Sequence, residues 1–198
     1  MSAPWSRFAR APLRGKLCYQ GRMDSILHTP RLALRPLTLD DAGPTAAIMS
    51  PAIARWTGSW TGVETAQAVA EKIAAALQAE REGRRFMRAA CLKDTGQLIG
   101  WIGAVRLDAN PRRGSLGYWI GEAWFGQGYA KEAARAVLDA AWDALDLEVI
   151  EGAVQVANLA SHKILLGLGM RHRGQREEFA VARGSTDLCD WYELRRPV

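Results

Sequence analysis

The 198-residue sequence lacks any apolar run close to the roughly 18 residues that a membrane-spanning helix needs. It also lacks two phosphate-binding signatures, GxxxxGKS/T and GxGxxG, because Lys131 stands where a third glycine would follow Gly126 and Gly128. Its three cysteines form no CxxC pair and no ligand cluster with the three histidines. We therefore expect a soluble, cytoplasmic protein without a disulfide framework or a bound metal.

Residues 1–23 lack carboxylates altogether. They hold five of the 26 Lys and Arg residues, so residues 24–198 carry as many basic as acidic side chains, and the net charge of +5 belongs to the leader. A neutral body argues against nucleic-acid binding. The leader has no apolar core of a secretory signal; it is Arg-rich and acid-free like an organelle transit peptide. Because Met23 begins a natural-looking domain start, we expect a flexible extension or an upstream start codon at 1–23 and one domain at 24–198.

Apolar residues repeat with two different periods, which indicates an α/β domain. Residues 31–37 alternate leucine with polar residues, as a strand does, whereas apolar side chains recur every four positions from Val69 to Leu77, as on a helix. Thr61 and Glu64 have the spacing of a capping box before that helix, and Gly83 follows its end.

The same patterns define the whole domain. They predict a mixed, mostly antiparallel sheet of about six or seven strands flanked by about four helices. The predicted strands are 31–37, 86–92, 97–107, 115–120, 149–156, 176–183 and 188–195; the helices are 39–49, 62–82, 130–145 and 159–168; turns lie at 93–96 and 110–114.

The segment 124–142, WFGQGYAKEAARAVLDAAW, places two glycines directly before an Ala-rich amphipathic helix. A helix N-terminus presents unpaired N–H groups and a partial positive charge, and glycines allow a phosphate to approach them closely. Gly126 and Gly128 therefore suit a diphosphate held by backbone N–H groups from Gln127 to Lys131. A tight strand-to-helix turn is the alternative interpretation of the same glycines.

Two segments, GYWIGEAWFGQGYAKEA at 117–133 and NLASHKILLGLGM at 158–170, together resemble the GNAT superfamily of N-acetyltransferases. The branch containing the bacterial ribosomal-protein N-terminal acetyltransferases is the most similar, and TPRLALRPLTLDDA at 29–42 and CDWYEL at 189–194 also resemble it. The resemblance spans about residues 27–196. It implies a single-domain GNAT-like fold with acetyl-CoA as the cosubstrate.

The resemblance also implies which residues hold acetyl-CoA. The strand at 116–121 would splay from its neighbour, and the pantetheine arm would hydrogen-bond to it like an added strand. Asn158 would bind the pantetheine, and the Ser161 hydroxyl would approach the sulfur; alternatively, Asn158 is a helix cap and Ser161 a first-turn residue. The implied coenzyme-binding residues are Trp119, Ile120, Gly121, Phe125, Gly126, Gln127, Gly128, Tyr129, Ala130, Lys131 and Asn158.

The implied general base is less well defined. A glutamate of the resembled branch falls on Ala180, so we take the nearby Glu178 as the candidate; Glu177 and Glu178 could equally be solvated charges. Ser115 stands where many relatives carry an acid. An ordered water is the other candidate base.

The expected activity is transfer of the acetyl group of acetyl-CoA to a primary amine, of a peptide N-terminus or a small molecule, by direct attack in a ternary complex. The alternative is a non-catalytic coenzyme-A-binding module. Trp56 and Trp60 are expected to line an aromatic acceptor pocket. We expect no nucleic-acid or membrane partner, and a monomer or homodimer.

Overall fold

The structure, a computed structural model, describes residues 25–197; the predicted extension at 1–23 and Cys18 lie outside them. The described chain forms eight strands, five α-helices and two 3-10 turns, Leu39–Asp41 and Glu122–Trp124. The strands are β1 Leu27–His28, β2 Leu32–Arg35, β3 Arg85–Leu92, β4 Leu98–Leu107, β5 Asn110–Ile120, β6 Val149–Gln155, β7 Arg171–Ala180 and β8 Ser185–Arg195. The helices are α1 Ala42–Ile48, α2 Pro51–Ala54, α3 Ala66–Arg81, α4 Tyr129–Ala144 and α5 Leu159–Gly167.

All eight strands belong to one open sheet with the order β1-β2-β3-β4-β5-β6-β8-β7. Every neighbouring pair is antiparallel except β5 and β6, which are parallel. The predicted class, a mixed and mostly antiparallel sheet in an α/β domain, is confirmed. The additional strand β1 and helix α2 have two and four residues, too few to give a periodic pattern.

Two predicted boundaries are wrong. The segment 110–114 is part of β5 rather than a turn, because it pairs with β4 on one side and with the start of β6 on the other. Strand β7 starts at Arg171 rather than near 176. Most of its side chains are exposed or half-buried, so hydrophobic alternation gave no signal there, while pairing with β8 fixes the strand.

The predicted capping box at Thr61 and Glu64 is only half formed, since the Thr61 N–H donates to the Glu64 carboxylate at 2.8 Å but no helix starts there. The N-cap of α3 is Thr65, whose hydroxyl accepts a hydrogen bond from the Ala68 N–H at 3.1 Å. A cap whose hydroxyl reaches the N3 N–H satisfies one of the free donors of the first turn, so the helix begins at Ala66.

The two faces of the sheet carry separate hydrophobic clusters. Helices α4 and α5 pack on one face with Leu116, Tyr118 and Ile120 of β5. Helices α1 to α3 pack on the other face with Trp101 and Trp119. Tyr118 and Trp119, which are neighbours on β5, therefore point to opposite faces of the sheet. Among residues 25–197, no helix is both long and apolar enough to cross a bilayer.

Strands β5 and β6 pair over only three residues each. The register joins 113–115 to 149–151, and no pairing follows although β5 continues to Ile120 and β6 to Gln155. The C-terminal parts of β5 and β6 therefore separate. The edges that face each other there have backbone hydrogen-bonding groups without a strand partner. This opening leads towards the N-terminus of α4.

Candidate active site

The loop before α4 depends on glycine. Gly126 and Gly128 have φ angles of +73° and +82°, in the left-handed region that side chains with a Cβ rarely adopt. Gly128 is the N-cap of α4 and provides no side-chain cap. A Cβ atom at Gly126 would meet no heavy atom within 4 Å, so the space in front of this loop is open.

The backbone N–H groups at this helix start are free to bind a ligand. The first helical hydrogen bond at this end runs from the Glu132 N–H to the Gly128 carbonyl at 3.1 Å. Within the described chain, no N–H from Gly126 to Lys131 donates to a backbone carbonyl. Such donors, added to the positive end of a 16-residue helix, form an anion-binding site of the kind that accepts a phosphate.

Contacts from Thr29 and Arg31, near the start of the domain, hold this loop in place. The sequence analysis did not predict these contacts. Glu132 accepts hydrogen bonds from the Thr29 hydroxyl at 2.6 Å and from Arg31 Nε at 2.7 Å. Arg31 Nη1 donates to the Gln127 carbonyl at 2.9 Å, and its guanidinium stacks 4.2 Å from the Tyr129 ring. Burial raises the pKa of Glu132, but these hydrogen bonds outweigh it, so the pKa lies below its ordinary value. The one acid of the first turn is thus ionised and neutralised by Arg31.

A cavity of about 650 Å³ connects the glycine loop with the opening between β5 and β6. Of the predicted coenzyme-binding residues, Gly121 and Gln127 do not line it: Gly121 lies against the Trp124 ring, and the Gln127 side chain donates to the Ala123 carbonyl. The predicted residues that line the cavity are Trp119, Ile120, Phe125, Gly126, Gly128, Tyr129, Ala130, Lys131, Asn158 and Ser161; the others are Ile53, Trp56, Thr57, Tyr118, Trp124, Ala160, Lys163 and Ile164.

Asn158 and Ser161 meet at the start of α5. Asn158 is the N-cap, and its Oδ1 accepts a hydrogen bond from the Ser161 N–H at 3.2 Å. The capping interpretation of Asn158 is therefore confirmed, and the same residue also lines the cavity. Capping fixes the first turn of α5 and with it the position of the Ser161 side chain.

Tyr118 is a candidate that the sequence analysis did not select. Its hydroxyl is buried without a well-formed hydrogen bond to another described residue, although Ser161 is close enough to act on it. Burial raises the pKa of Tyr118 to about 12, which Ser161 opposes. The phenol is therefore protonated throughout the range in which enzymes work, and it is a hydrogen-bond donor at the wall of the cavity.

The charge of the cavity is positive. Lys131 and Lys163 line it, and no Asp or Glu does among the described residues. The Lys131 side chain lies against Gly167 of α5, where an added Cβ would come within 2.7 Å of Nζ. Two ammonium groups beside a helix N-terminus favour a ligand with more than one negative charge.

The predicted base Glu178 lies elsewhere. It is on β7, where its carboxylate forms an ion pair with Arg176, and it does not line the cavity. The neighbouring Glu177 is exposed on the same strand. The catalytic role of Glu178 stays a prediction, and the geometry gives it no direct contact with the cavity.

The described cysteines and histidines form no nucleophile–base pair. Cys91 and Cys189 are both buried and free, and burial, followed by Glu178 and Asp187, raises the pKa of the Cys189 thiol to about 11. A thiol with that pKa is protonated at neutral pH and is a poor nucleophile. No group of three or more possible metal ligands occurs among residues 25–197.

Trp56 and Trp60 have different roles. Trp56 lines the 650 Å³ cavity. Trp60 is 5% exposed and packs edge-on against Trp101, with ring centroids 5.1 Å apart. Trp60 is thus a core residue that also lines a smaller second cavity.

Comparisons with known families, sequences and solved structures agree with one another. The family model for the acetyltransferase (GNAT) domain matches residues 31–171. The chain is 30% identical over 168 residues to the uncharacterized N-acetyltransferase p20 of Bacillus licheniformis, covering 84% of this chain and 92% of p20. It is also 30% identical over 177 residues to the uncharacterized N-acetyltransferase YoaA of Bacillus subtilis, covering 88% and 99%. Mycobacterium smegmatis RimJ, solved in complex with CoA-disulfide, shares the fold with a TM-score of 0.77 at 20% identity, over 88% of each chain.

Proposed function

The chain belongs to the GNAT acetyltransferase family, and we propose that it transfers the acetyl group of acetyl-CoA to the primary amine of a small molecule or a peptide N-terminus. The enzyme class, an acetyl-CoA-dependent acetyltransferase, follows from the family and from relatives that are N-acetyltransferases. The observation that carries the proposal is one continuous cavity, which joins a loop of free N–H groups to the gap between two separated strands.

The residues fit coenzyme A at three points. The free N–H groups from Gly126 to Lys131 suit the diphosphate, with Lys131 and Lys163 adding positive charge. The unpaired inner edge of β5 suits the amides of the pantetheine arm, in the manner of β-strand addition. RimJ was solved with CoA-disulfide, which supports a coenzyme of the same chemistry for this fold.

The chemistry requires a neutral amine and a donor for the departing thiolate. A protonated amine has no lone pair, so it must lose a proton before it attacks the thioester carbonyl. Because no described Asp or Glu lines the cavity, we assign that proton to an ordered water. We assign protonation of the leaving thiolate to Ser161, assisted by Tyr118, since both side chains line the cavity and Tyr118 stays protonated.

The acceptor enters in this proposal past Ile53, Trp56 and Thr57, which line the cavity and belong to neither the glycine loop nor α5. A cytoplasmic location and a monomeric or homodimeric state stay predictions.

The test is release of coenzyme thiol from acetyl-CoA, measured with and without a panel of primary amines. We expect the release of coenzyme thiol to depend on the amine. Calorimetry measures acetyl-CoA binding separately. Tight binding without amine-dependent release would favour the non-catalytic binding module, and absence of binding would refute the coenzyme site.

A further inference from the structure

A second cavity of about 320 Å³ lies between α3 and the strands β3, β4 and β5, on the face of the sheet opposite α4. Tyr118 and Trp119 line both cavities, so the second cavity reaches the strand that borders the first. Its volume is at the lower end of those typical of small-molecule sites. The first cavity is assigned to the coenzyme and to the entry of the acceptor. The second cavity has no role in that proposal.

Two glycines lie on the floor of this cavity. Gly103 of β4 and Gly117 of β5 are directly paired across the strands. A Cβ at Gly117 would meet no heavy atom within 4 Å, whereas the Met87 side chain covers Gly103. The floor is therefore open over Gly117 on β5 and closed by Met87 over Gly103 on β4.

One wall of this cavity is aromatic and contains an N–H donor without a hydrogen-bond acceptor among residues 25–197. Trp60, Trp101 and Trp119 have ring centroids 5.1 to 6.0 Å apart. Trp101 Nε1 donates to the Thr45 hydroxyl at 3.0 Å, but Trp119 Nε1 is buried without a partner among the described residues, and Trp119 is only 7% exposed. A buried N–H of this kind requires an acceptor, which a ligand in the cavity can provide.

Two cations, Lys72 and Arg85, line the same cavity, and neither forms an ion pair within 4.0 Å of a carboxylate in the described chain. Lys72 donates to the Ser59 carbonyl at 2.8 Å and lies 5.1 Å from the Trp60 ring centroid. Arg85, at the start of β3, has a buried Nε with no hydrogen-bond partner in the described chain. The nearby Glu80 forms its ion pair with Arg88 instead, at 2.7 Å. Burial, followed by the neighbouring Arg84, lowers the pKa of Arg85, and the Glu80 carboxylate only partly opposes this.

We propose that this cavity binds the carboxylate of the acceptor, so that the substrate is a small amino-acid-like amine with an apolar or aromatic body. Lys72 and Arg85 bind the carboxylate, and the tryptophans pack on the body. The amine then faces Gly117 and Tyr118, on the strand where the acetyl group is delivered. The proposal rests on the proposed function and deepens it by naming the acceptor class.

The experiment compares matched acceptors, tryptophan with tryptophanamide and phenylalanine with phenylalaninamide, by coenzyme thiol release. For each variant, kcat/KM for the amino acid is divided by kcat/KM for its amide. Amidation also changes the basicity of the amine, so the deciding quantity is how this acid-to-amide ratio changes from one variant to another. We expect Arg85→Met to lower this ratio at least tenfold, mainly through the acceptor KM, with the acetyl-CoA KM unchanged. Arg84→Met is the control, because Arg84 is exposed and forms an ion pair with Glu82.

An acid-to-amide ratio unchanged in Arg85→Met would overturn the carboxylate site while leaving acetyl transfer intact. If Arg85→Met does not fold, Lys72→Met replaces it with the same expectation. If no amine is acetylated, the carboxylate site is tested by calorimetry, as binding of N-acetyltryptophan to the coenzyme-A-bound enzyme. Binding that is lost in Arg85→Met supports the site, and absence of binding by the unaltered protein refutes it.

Discussion

The glycine loop allows a quantitative prediction. Replacing Gly126 by Glu places a carboxylate in the open space before the α4 N-terminus, where we expect the diphosphate. At about 6 Å and an effective dielectric constant of about 40, each phosphate charge is repelled by about 1.4 kcal/mol, so two charges give about 3 kcal/mol. Calorimetry should show acetyl-CoA affinity reduced about a hundredfold. Gly126 is preferred to Gly128, because a side chain at Gly128 would start 3.5 Å from Arg31 Nη2 and could bind it.

Two controls isolate the charge. Gly126→Gln imposes the same left-handed backbone, which costs about 1–2 kcal/mol of stability for a residue with a Cβ, but adds no charge. Gly184→Glu adds the same charge at a φ of +62° in open space, between β7 and β8. Only Gly126→Glu should lose most of its affinity, and the loss should shrink with added salt. Equal affinities of the Gln and Glu variants at Gly126 would refute the diphosphate assignment.

Three further outcomes are expected. Ser161→Ala should lower kcat about 10- to 100-fold with little change in acetyl-CoA affinity, and adding Tyr118→Phe should lower it further; an unchanged kcat in the double variant would exclude both as proton donors. Arg88→Met should destabilise the fold by about 3–5 kcal/mol in urea unfolding, because it leaves Glu80 buried without this partner, and the double variant with Glu80→Met should recover part of that loss. Glu178→Gln should change kcat/KM less than about threefold, since Glu178 pairs with Arg176 outside the cavity; a hundredfold loss would restore it as the base.

Features that depend on neighbouring residues could be predicted from the sequence. The apolar face of α4 is one: Ala134, Val137, Leu138 and Ala141 are fully buried, as the helical period indicated. The glycine loop is another, because a left-handed backbone at a helix start leaves few residue choices. In both cases the physical cause lies within one or two turns of chain.

Features that join distant segments could not be predicted. The ion pair of Arg31 with Glu132 connects residues 101 positions apart, and each looked like an ordinary surface charge in the sequence. Trp60 lies in a Gly- and Ser-containing loop that looked exposed, yet the pairing of β4 with β5 places Trp101 and Trp119 beside it. The separation of β5 from β6 was implied only by the family resemblance, since strand pairing leaves no local signature.

The arrangement of charge along the two cavities explains how one sheet can treat two substrates differently. In the proposed complex, the free N–H groups and two lysines favour the most highly charged part of the coenzyme, and no described carboxylate lines the cavity to weaken that field. At the middle, Ser161 and Tyr118 are neutral donors, which can protonate a thiolate without binding it as a permanent ion pair. A carboxylate base beside them would attract the protonated amine, and a lone pair would then be harder to expose. In the proposed complex, a centre without carboxylates and with cations nearby therefore favours the free amine over the ammonium form at the thioester.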